Sequence, residues 1–478
     1  MPDRLTSADA AFLYLEDSST PMHVGTVMVF EPPGDGFDYD RLVQLISNRI
    51  AFVPRYRQRL RNVPGNLGSP VWVDDENFDM TYHVRRSGLP RPGTDEQLRE
   101  FVARIQTRPL DRSRPLWELY LVEGLAGGRF ALVTKSHQAL VDGINAVDIA
   151  HVIVDGNPGD NESVTDTWRP SREPSDLELV AGAVAEAVRR PGVVVETVRH
   201  GVKDVQSVAG QLWRVAGGLA GALARTAASP APHSPLNASP GGSRRFAMIT
   251  TDLEDYRSVR ARLPRGNYDD VTINDVCLAT ITGALRTWLL TRGVPVHSGT
   301  TVRALVPVSV EQDEDGQAPV GLAPAVTPCY VDLPVGEPGA SMRLHQVAFA
   351  MRQQMEDGRA VGASALTDLT GFAPATLHSV GARLGAAVAR RTHNLVITNS
   401  PGPQTPLYAA GAELVATYPV MPLGAGEALS IGLTSYHGKV YYGLNGDRAA
   451  MSDLDVLAQA ITDSLAELVD TRTPRKRR

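Results

Sequence analysis

Cysteine is nearly absent from this chain. Cys277 and Cys329 are the only two in 478 residues, which excludes a disulfide framework and a zinc site built on thiolates. Long apolar runs are missing as well: no stretch reaches the ~18 residues of a bilayer-spanning helix. The first segment, "MPDRLTSADAAFLYLE", lacks a basic region followed by an apolar one, so no secretory signal is expected. Neither sign of charge dominates. Lys+Arg total 47 against 53 Asp+Glu, a net charge of −6, and nothing calls for a nucleic-acid partner. These absences leave a cytoplasmic protein as the expectation. Hydrophobic content of 43% with 21% charged residues is that of a folded chain, and 478 residues exceed one ordinary core, so two domains are expected.

Strand-like and helix-like segments alternate along both halves. "MHVGTVMVFE" (22–31) and "RFALVTKSH" (129–137) read as strands, rich in β-branched residues. Residues 37–53 and 94–110 read as amphipathic helices; in the second, Leu98, Phe101, Val102 and Ile105 recur at helical spacing. A helix is also expected over 144–155. Residues 158–174 turn polar, and "SDLE" (175–178) has the form of a capping box, with Ser175 as N-cap. Valines and leucines at 198, 202, 205, 208, 212, 215 and 219 form a stripe suited to packing or to an interfacial helix. "SPAPHSPLNASPGGS" (229–243) is a loop by composition and the expected linker. Beyond it, 272–293 predicts a helix with a glycine stop, 301–310 a buried strand, 428–447 a hairpin turning at His437-Gly438, and 452–470 a closing helix. The division expected is 1–174, a helical connection and linker over 175–243, and 244–478.

Chemistry concentrates in "TKSHQALVDGIN" (134–145). Near neutral pH an imidazole can take a hydroxyl proton, an aspartate a few residues on can fix the loop through an arginine, and a following glycine permits close backbone approach. An HHxxxDG arrangement has that mechanical sense. Here His137 is followed by Gln138, then Asp142 and Gly143.

The residues around the motif carry a resemblance. "LTSADAAFLYLEDSSTPMHVG" (5–25), "VWVDDENFDMTYHV" (71–84), "PLDRSRPLWELYLVEGL" (109–125), "TINDVCLA" (272–279), "VRALVPVSV" (302–310), "NSPGP" (399–403) and "LSIGLTSYHGKVYYGLNGD" (429–447) stand in the order of the bacterial wax ester synthase/diacylglycerol acyltransferase family, and the chain resembles its actinobacterial triacylglycerol synthases. The resemblance implies an α/β fold of two domains, similar to chloramphenicol acetyltransferase and condensation domains, flanking a central tunnel. It implies an acyl-CoA-dependent O-acyltransferase that esterifies diacylglycerol or a fatty alcohol. Acyl-CoA would be a substrate, with no cofactor and no metal, and contact with a membrane or lipid droplet would be peripheral. In that family the second histidine is the general base, and this chain has Gln138 there. A carboxamide has no usable pKa near neutrality, and loss of base help costs about 10²–10⁴-fold. Three readings follow: His137 serves as base if a bulge turns it inward, the chain binds acyl-CoA or lipid without efficient catalysis, or another base has taken over.

Other residues carry two readings each. Asn274 and Asp275 match the family's ND block, which supports the site, and equally suit a helix start. Arg303, on an otherwise apolar strand, needs a partner if buried, with Asp142 the candidate, or else marks an exposed strand end. Trp117 in "PLWE" reads as core, His23 as structural, "NSPGP" as a rigid turn at the domain junction, and "GAGE" (424–427) as too poor in glycine for a nucleotide loop. The tail "RTPRKRR" (472–478) reads as solvated, with attraction to anionic lipid as its alternative.

Overall fold

A computed structural model of the protein describes residues 3–34, 37–141, 148–158, 166–189, 230–262, 271–310, 325–369 and 392–471. Asp142, Gly143, the start of the helix expected from 144, the 198–219 stripe and the basic tail lie outside the described residues.

The first half contributes helices α1 (Ser7–Leu15), α2 (Tyr39–Ile50), α3 (Met80–His83), α4 (Asp95–Gln106), α5 (Gln138–Val141), α6 (Ile149–Val152) and α7 (Asp176–Arg189). Its strands are β1 (His23–Glu31), β2 (Gln58–Arg61), β3 (Val71–Asp74), β4 (Val84–Gly88), β5 (Trp117–Glu123) and β6 (Phe130–His137). The second half supplies β7 (Arg244–Asp252), α8 (Leu253–Ala261), α9 (Ile273–Thr291), β8 (Val302–Val310), β9 (Ala325–Leu333) and α10 (Ala340–Leu369). It ends with β10 (Leu395–Pro401), β11 (Tyr408–Ala409), β12 (Ala412–Val420), β13 (Leu429–Tyr436), β14 (Lys439–Asp447) and α11 (Leu454–Asp470).

Two mixed six-stranded sheets organise these elements. The first runs β11-β12-β1-β6-β5-β4 and the second β7-β14-β13-β10-β8-β9; β2 and β3 make a separate pair. The chain does not keep one half to each sheet, because β11 and β12 leave the second half to extend the first sheet beside β1. Alternation along the strands explains why the first sheet is covered on both faces. Phe30, Trp117, Leu119, Phe130 and Leu132 face one core, while Val27, Val29, Tyr120, Ala131 and Val133 face another. The second of these cores is closed by Leu98, Phe101 and Val102 of α4 together with Phe246 of β7, so the second half covers part of the first sheet.

Local chemistry accounts for most boundaries. Ser175 and Glu178 bond reciprocally at the start of α7 (2.7 and 3.3 Å), the expected capping box. Thr94 and Gln97 do the same for α4, a signal the periodicity alone does not convey. β13 and β14 join through His437 (φ 43°) and Gly438 (φ 76°), the two left-handed residues of a two-residue hairpin.

Two expectations need correction, and a third gains detail. The helix expected over 144–155 is, in its described part, the single turn Ile149–Val152, started by the Asp148 side chain accepting from the Ala150 amide at 3.0 Å. The strand at 301–310 is not buried on both faces: Val302, Ala304 and Val306 are buried while Arg303 and Leu305 between them are partly exposed. The loop before β7 is pinned rather than free. Leu236 is fully buried in the core of the second sheet, beside residues such as Trp288 and Val302, and Asn237 bonds both the His393 carbonyl (3.2 Å) and the Asn394 side chain (2.5 Å).

Candidate active site

β6 delivers the motif and stops at His137. Its partner across the ladder is His23, the first residue of β1, and the His137 amide bonds the Leu116 carbonyl at 2.9 Å. Gln138 then opens the one-turn helix α5, its own amide donating to the Met22 carbonyl at 2.9 Å. Strand pleat and helical turn thus separate the two side chains: His137 is 1% exposed, and Gln138 is partly exposed.

The imidazole of His137 is hydrogen-bonded on one side only. Its Nδ1 accepts the Ala139 amide at 3.0 Å, which assigns the proton to Nε2. That Nε2 stands 3.6 Å from Glu16 Oε2, too far for a hydrogen bond. The other carboxylate oxygen lies 3.1 Å from His23 Nε2. Arg112 also grips Glu16, its Nε at 3.2 Å and its Nη2 at 2.5 Å. Burial opposes the charge on Glu16, but His137, His23 and Arg112 outweigh it and hold the carboxyl well below its usual range. His23 moves the other way. Burial dominates there and lowers its pKa to about 4, so the ring is neutral at pH 7 despite Glu16.

Two residues back on the same face of β6, Lys135 is fully buried and its Nζ donates to the Arg108 carbonyl. Burial pulls its pKa down to about 8 against the attraction of Glu118, 3.8 Å away. Glu118 takes Arg85 at 2.9 Å and the Tyr120 hydroxyl at 2.6 Å. Two ionic clusters, Glu16 with Arg112 and Glu118 with Lys135 and Arg85, therefore stand beside the end of β6. Glu16, Arg112, Lys135 and Glu118 were not singled out from sequence. No local spacing marks them, because they arrive from α1's C-terminus, a loop and two neighbouring strands.

Of the other expected site residues, those within the described range are Asn274 and Asp275 on α9 and Arg303 on β8. Asp275 is the third residue of α9 and forms a capping box with Thr272 (2.8 and 3.1 Å). Asn274 accepts from the Asn399 side chain at 2.9 Å, joining the start of α9 to the "NSPGP" end of β10. Arg303 has a described partner on the neighbouring strand, while Asp142 lies outside the described residues. The Arg303 guanidinium forks onto Asp332, its ladder neighbour on β9, at 2.7 and 3.0 Å. Trp117 is core, as expected: it is fully buried, stacks on His83 at 4.6 Å and donates to the Tyr56 carbonyl at 2.8 Å. Among the described residues, no group of three or more His, Cys, Asp or Glu side chains is placed to hold a metal. No described helix is long and apolar enough to cross a membrane.

Known proteins resemble this chain over most of its length. Residues 5–277 match the catalytic domain of wax ester synthase/diacylglycerol acyltransferase, and residues 325–469 match the C-terminal domain of the same family. A probable diacylglycerol O-acyltransferase of Mycobacterium tuberculosis H37Rv, tgs2, is 34% identical over 98% of both chains. Another from the same strain, tgs3, is 45% identical over 55% of this chain and 97% of its own. Among solved structures, the wax ester synthase/diacylglycerol acyltransferase of Marinobacter aquaeolei VT8 superposes with a TM-score of 0.67 at 30% identity, covering 98% of each chain. A starter condensation domain of rhizomide synthetase, solved with C8-CoA, shares the fold at TM-score 0.56 and 14% identity, covering 99% of this chain and 96% of its own.

Proposed function

Because the chain belongs to the wax ester synthase/diacylglycerol acyltransferase family, we propose that it transfers a long-chain acyl group from acyl-CoA to the hydroxyl of diacylglycerol or a fatty alcohol. The hydroxyl oxygen attacks the thioester carbonyl, a C–O bond forms, the C–S bond breaks, and the hydroxyl proton ends on the CoA thiol. No redox change occurs, so ester formation itself calls for no cofactor.

One observation carries the assignment of roles. Gln138 takes the position of the family's second histidine and is partly exposed, while His137 is buried behind it with Nδ1 bonded and Nε2 turned to Glu16. Gln138 is then the residue that meets substrate, its carboxamide orienting the acceptor hydroxyl or donating to the developing oxyanion. His137 is a positioning residue, holding the strand-to-helix turn from which Gln138 projects. Service by His137 as base would require its ring to leave both Ala139 and Glu16. Asp142 and Gly143, next in the motif, would shape the loop that follows. Acceptors of this class are met at a lipid surface, so peripheral contact with a membrane or droplet belongs to the same proposal.

The test is an acyl-transfer assay with labelled long-chain acyl-CoA and either diacylglycerol or a long-chain alcohol. Labelled triacylglycerol or wax ester is the expected product. Absence of both, from a folded protein that still binds acyl-CoA, overturns the reading.

A further inference from the structure

A cleft of about 390 Å³, the share of roughly a dozen water molecules, opens between α4 and the start of β7. Five arginines line it: Arg99, Arg104, Arg244, Arg245 and Arg448. Two of them are engaged. Arg99 pairs with Asp455 at 2.8 Å, and Arg244 donates to the carbonyls of Gly241 (2.6 Å), Ser243 (3.2 Å) and Ser19, with Asp447 at 4.0 Å. Arg104 meets only the Phe101 ring, 5.5 Å away, and Arg104, Arg245 and Arg448 have no carboxylate partner among the described residues. Arg245 also buries its Nε with no hydrogen-bond partner. Glu96, Glu100 and Asp455 share the lining, so the arginines outnumber the acids five to three. A desolvated guanidinium donor left unpaired is costly, and guanidinium forks match phosphate oxygens.

The cleft also adjoins the motif. Arg244 holds Ser19 in the loop that runs from Glu16 to Met22, and the Met22 carbonyl takes the Gln138 amide. Thr107 lines the cleft, and the next residue, Arg108, takes the Lys135 ammonium on its carbonyl. Two lining residues thus connect the cleft to the segments that brace the end of β6: Arg244 through Ser19, and Thr107 through its neighbour Arg108.

We propose that this cleft binds the phosphates of the acyl donor's nucleotide end, leaving the thioester arm to run toward Gln138. The proposal rests on the acyl-CoA reading above and adds a place for the donor's charge. Its test compares the full-length protein with an Arg245→Ala/Arg448→Ala variant, using long-chain acyl-CoA and the matching S-acyl-pantetheine, which lacks the nucleotide. The expected result is a KM for acyl-CoA raised at least about ten-fold, little change in kcat, and no change in KM for the pantetheine thioester. An unchanged KM for acyl-CoA, or an equal rise for both donors, overturns it. The exposed pair Arg104→Glu/Arg448→Glu gives the same comparison if the first variant fails to fold. Should the wild type transfer from neither donor, the function proposed above fails, and binding of 3′,5′-ADP decides the cleft separately: loss in the variant supports it and equal binding overturns it. Co-sedimentation with phosphatidylglycerol vesicles separates the other phosphate source. Lost vesicle binding with an unchanged KM for acyl-CoA assigns the cleft to lipid headgroups and overturns the proposal.

Discussion

Glu16 Oε2 lies 3.6 Å from His137 Nε2 and ties the residue after α1 to the last residue of β6. Through the same carboxylate, Arg112 and His23 join the contact, so one acidic side chain holds four segments around the motif. That arrangement turns His137 away from Gln138 and sets the first expected outcome.

Gln138→His should raise turnover, because it restores a group with a pKa near 6.5 at the exposed position. Gln138→Ala should lower it. His137→Ala should lower both the melting temperature and turnover, since it removes a buried pillar of the turn. A pH–rate profile tells the roles apart: a new limb near pH 6.5 should appear in Gln138→His. If His137→Ala instead abolishes turnover at unchanged stability while Gln138→Ala is silent, His137 is the base.

Acid should weaken the fold through this cluster. Glu16 ionises below its unfolded value, so its contribution is complete above the ordinary glutamate range and is lost as pH falls toward the depressed folded value. His23 and His83 are each lowered to about 4, mainly by burial. Each folded pKa lies below the unfolded 6.5, so each contributes stability above pH 6.5 that is lost between about 6.5 and 4, at most about 3 kcal/mol apiece. Denaturant melts at pH 7 and pH 4.5 should show the loss. His83→Phe, which keeps an aromatic ring against Trp117 and cannot titrate, should lose less over that interval; an identical loss would remove His83 from the account.

Glu16→Gln should destabilise the chain at pH 7. Removing one partner of a buried ionic group costs about 3–5 kcal/mol, reduced here because Arg112 is half exposed. The difference from wild type should narrow on acidification below pH 4.5. A gap that is constant from pH 7 to pH 3.5 would show that the Glu16 charge contributes nothing.

Gly443→Ala tests the seam between the sheets. A Cβ there would sit 1.7 Å from the Pro419 carbonyl oxygen, so β14 and β12 approach as closely as a bare backbone allows. Because the obstacle is backbone, strain of at least about 1–3 kcal/mol is expected, with a lower melting temperature and reduced activity. Wild-type melting behaviour would mean the strands can separate freely.

Asp332→Asn should do little. Its fork with Arg303 is 46% exposed on the aspartate side, and such pairs are worth about 0–1 kcal/mol. A stability change within that range and unaltered turnover would show that the Arg303–Asp332 fork itself is not needed by the site. A large loss of turnover would place it inside.

Much of this molecule is written locally. The alternation in 22–31 and 129–137, the helical spacing through Leu98, Phe101, Val102 and Ile105, the Ser175–Glu178 box and the His437-Gly438 turn each need only neighbours in the chain, and each appears where the pattern puts it. The family blocks are equally legible, because they are strings of residues. Tertiary structure alone decided the rest. Periodicity carries no information on which strands pair, so the passage of β12 into the first sheet could not be read. That Arg303 forks onto Asp332 was set by ladder register, which placed the two side by side. The orientation of His137 was set by where β6 ends and by a carboxylate delivered from α1's C-terminus. Charges distant in sequence must be brought together before burial can make their pairing matter, and only the folded chain does that.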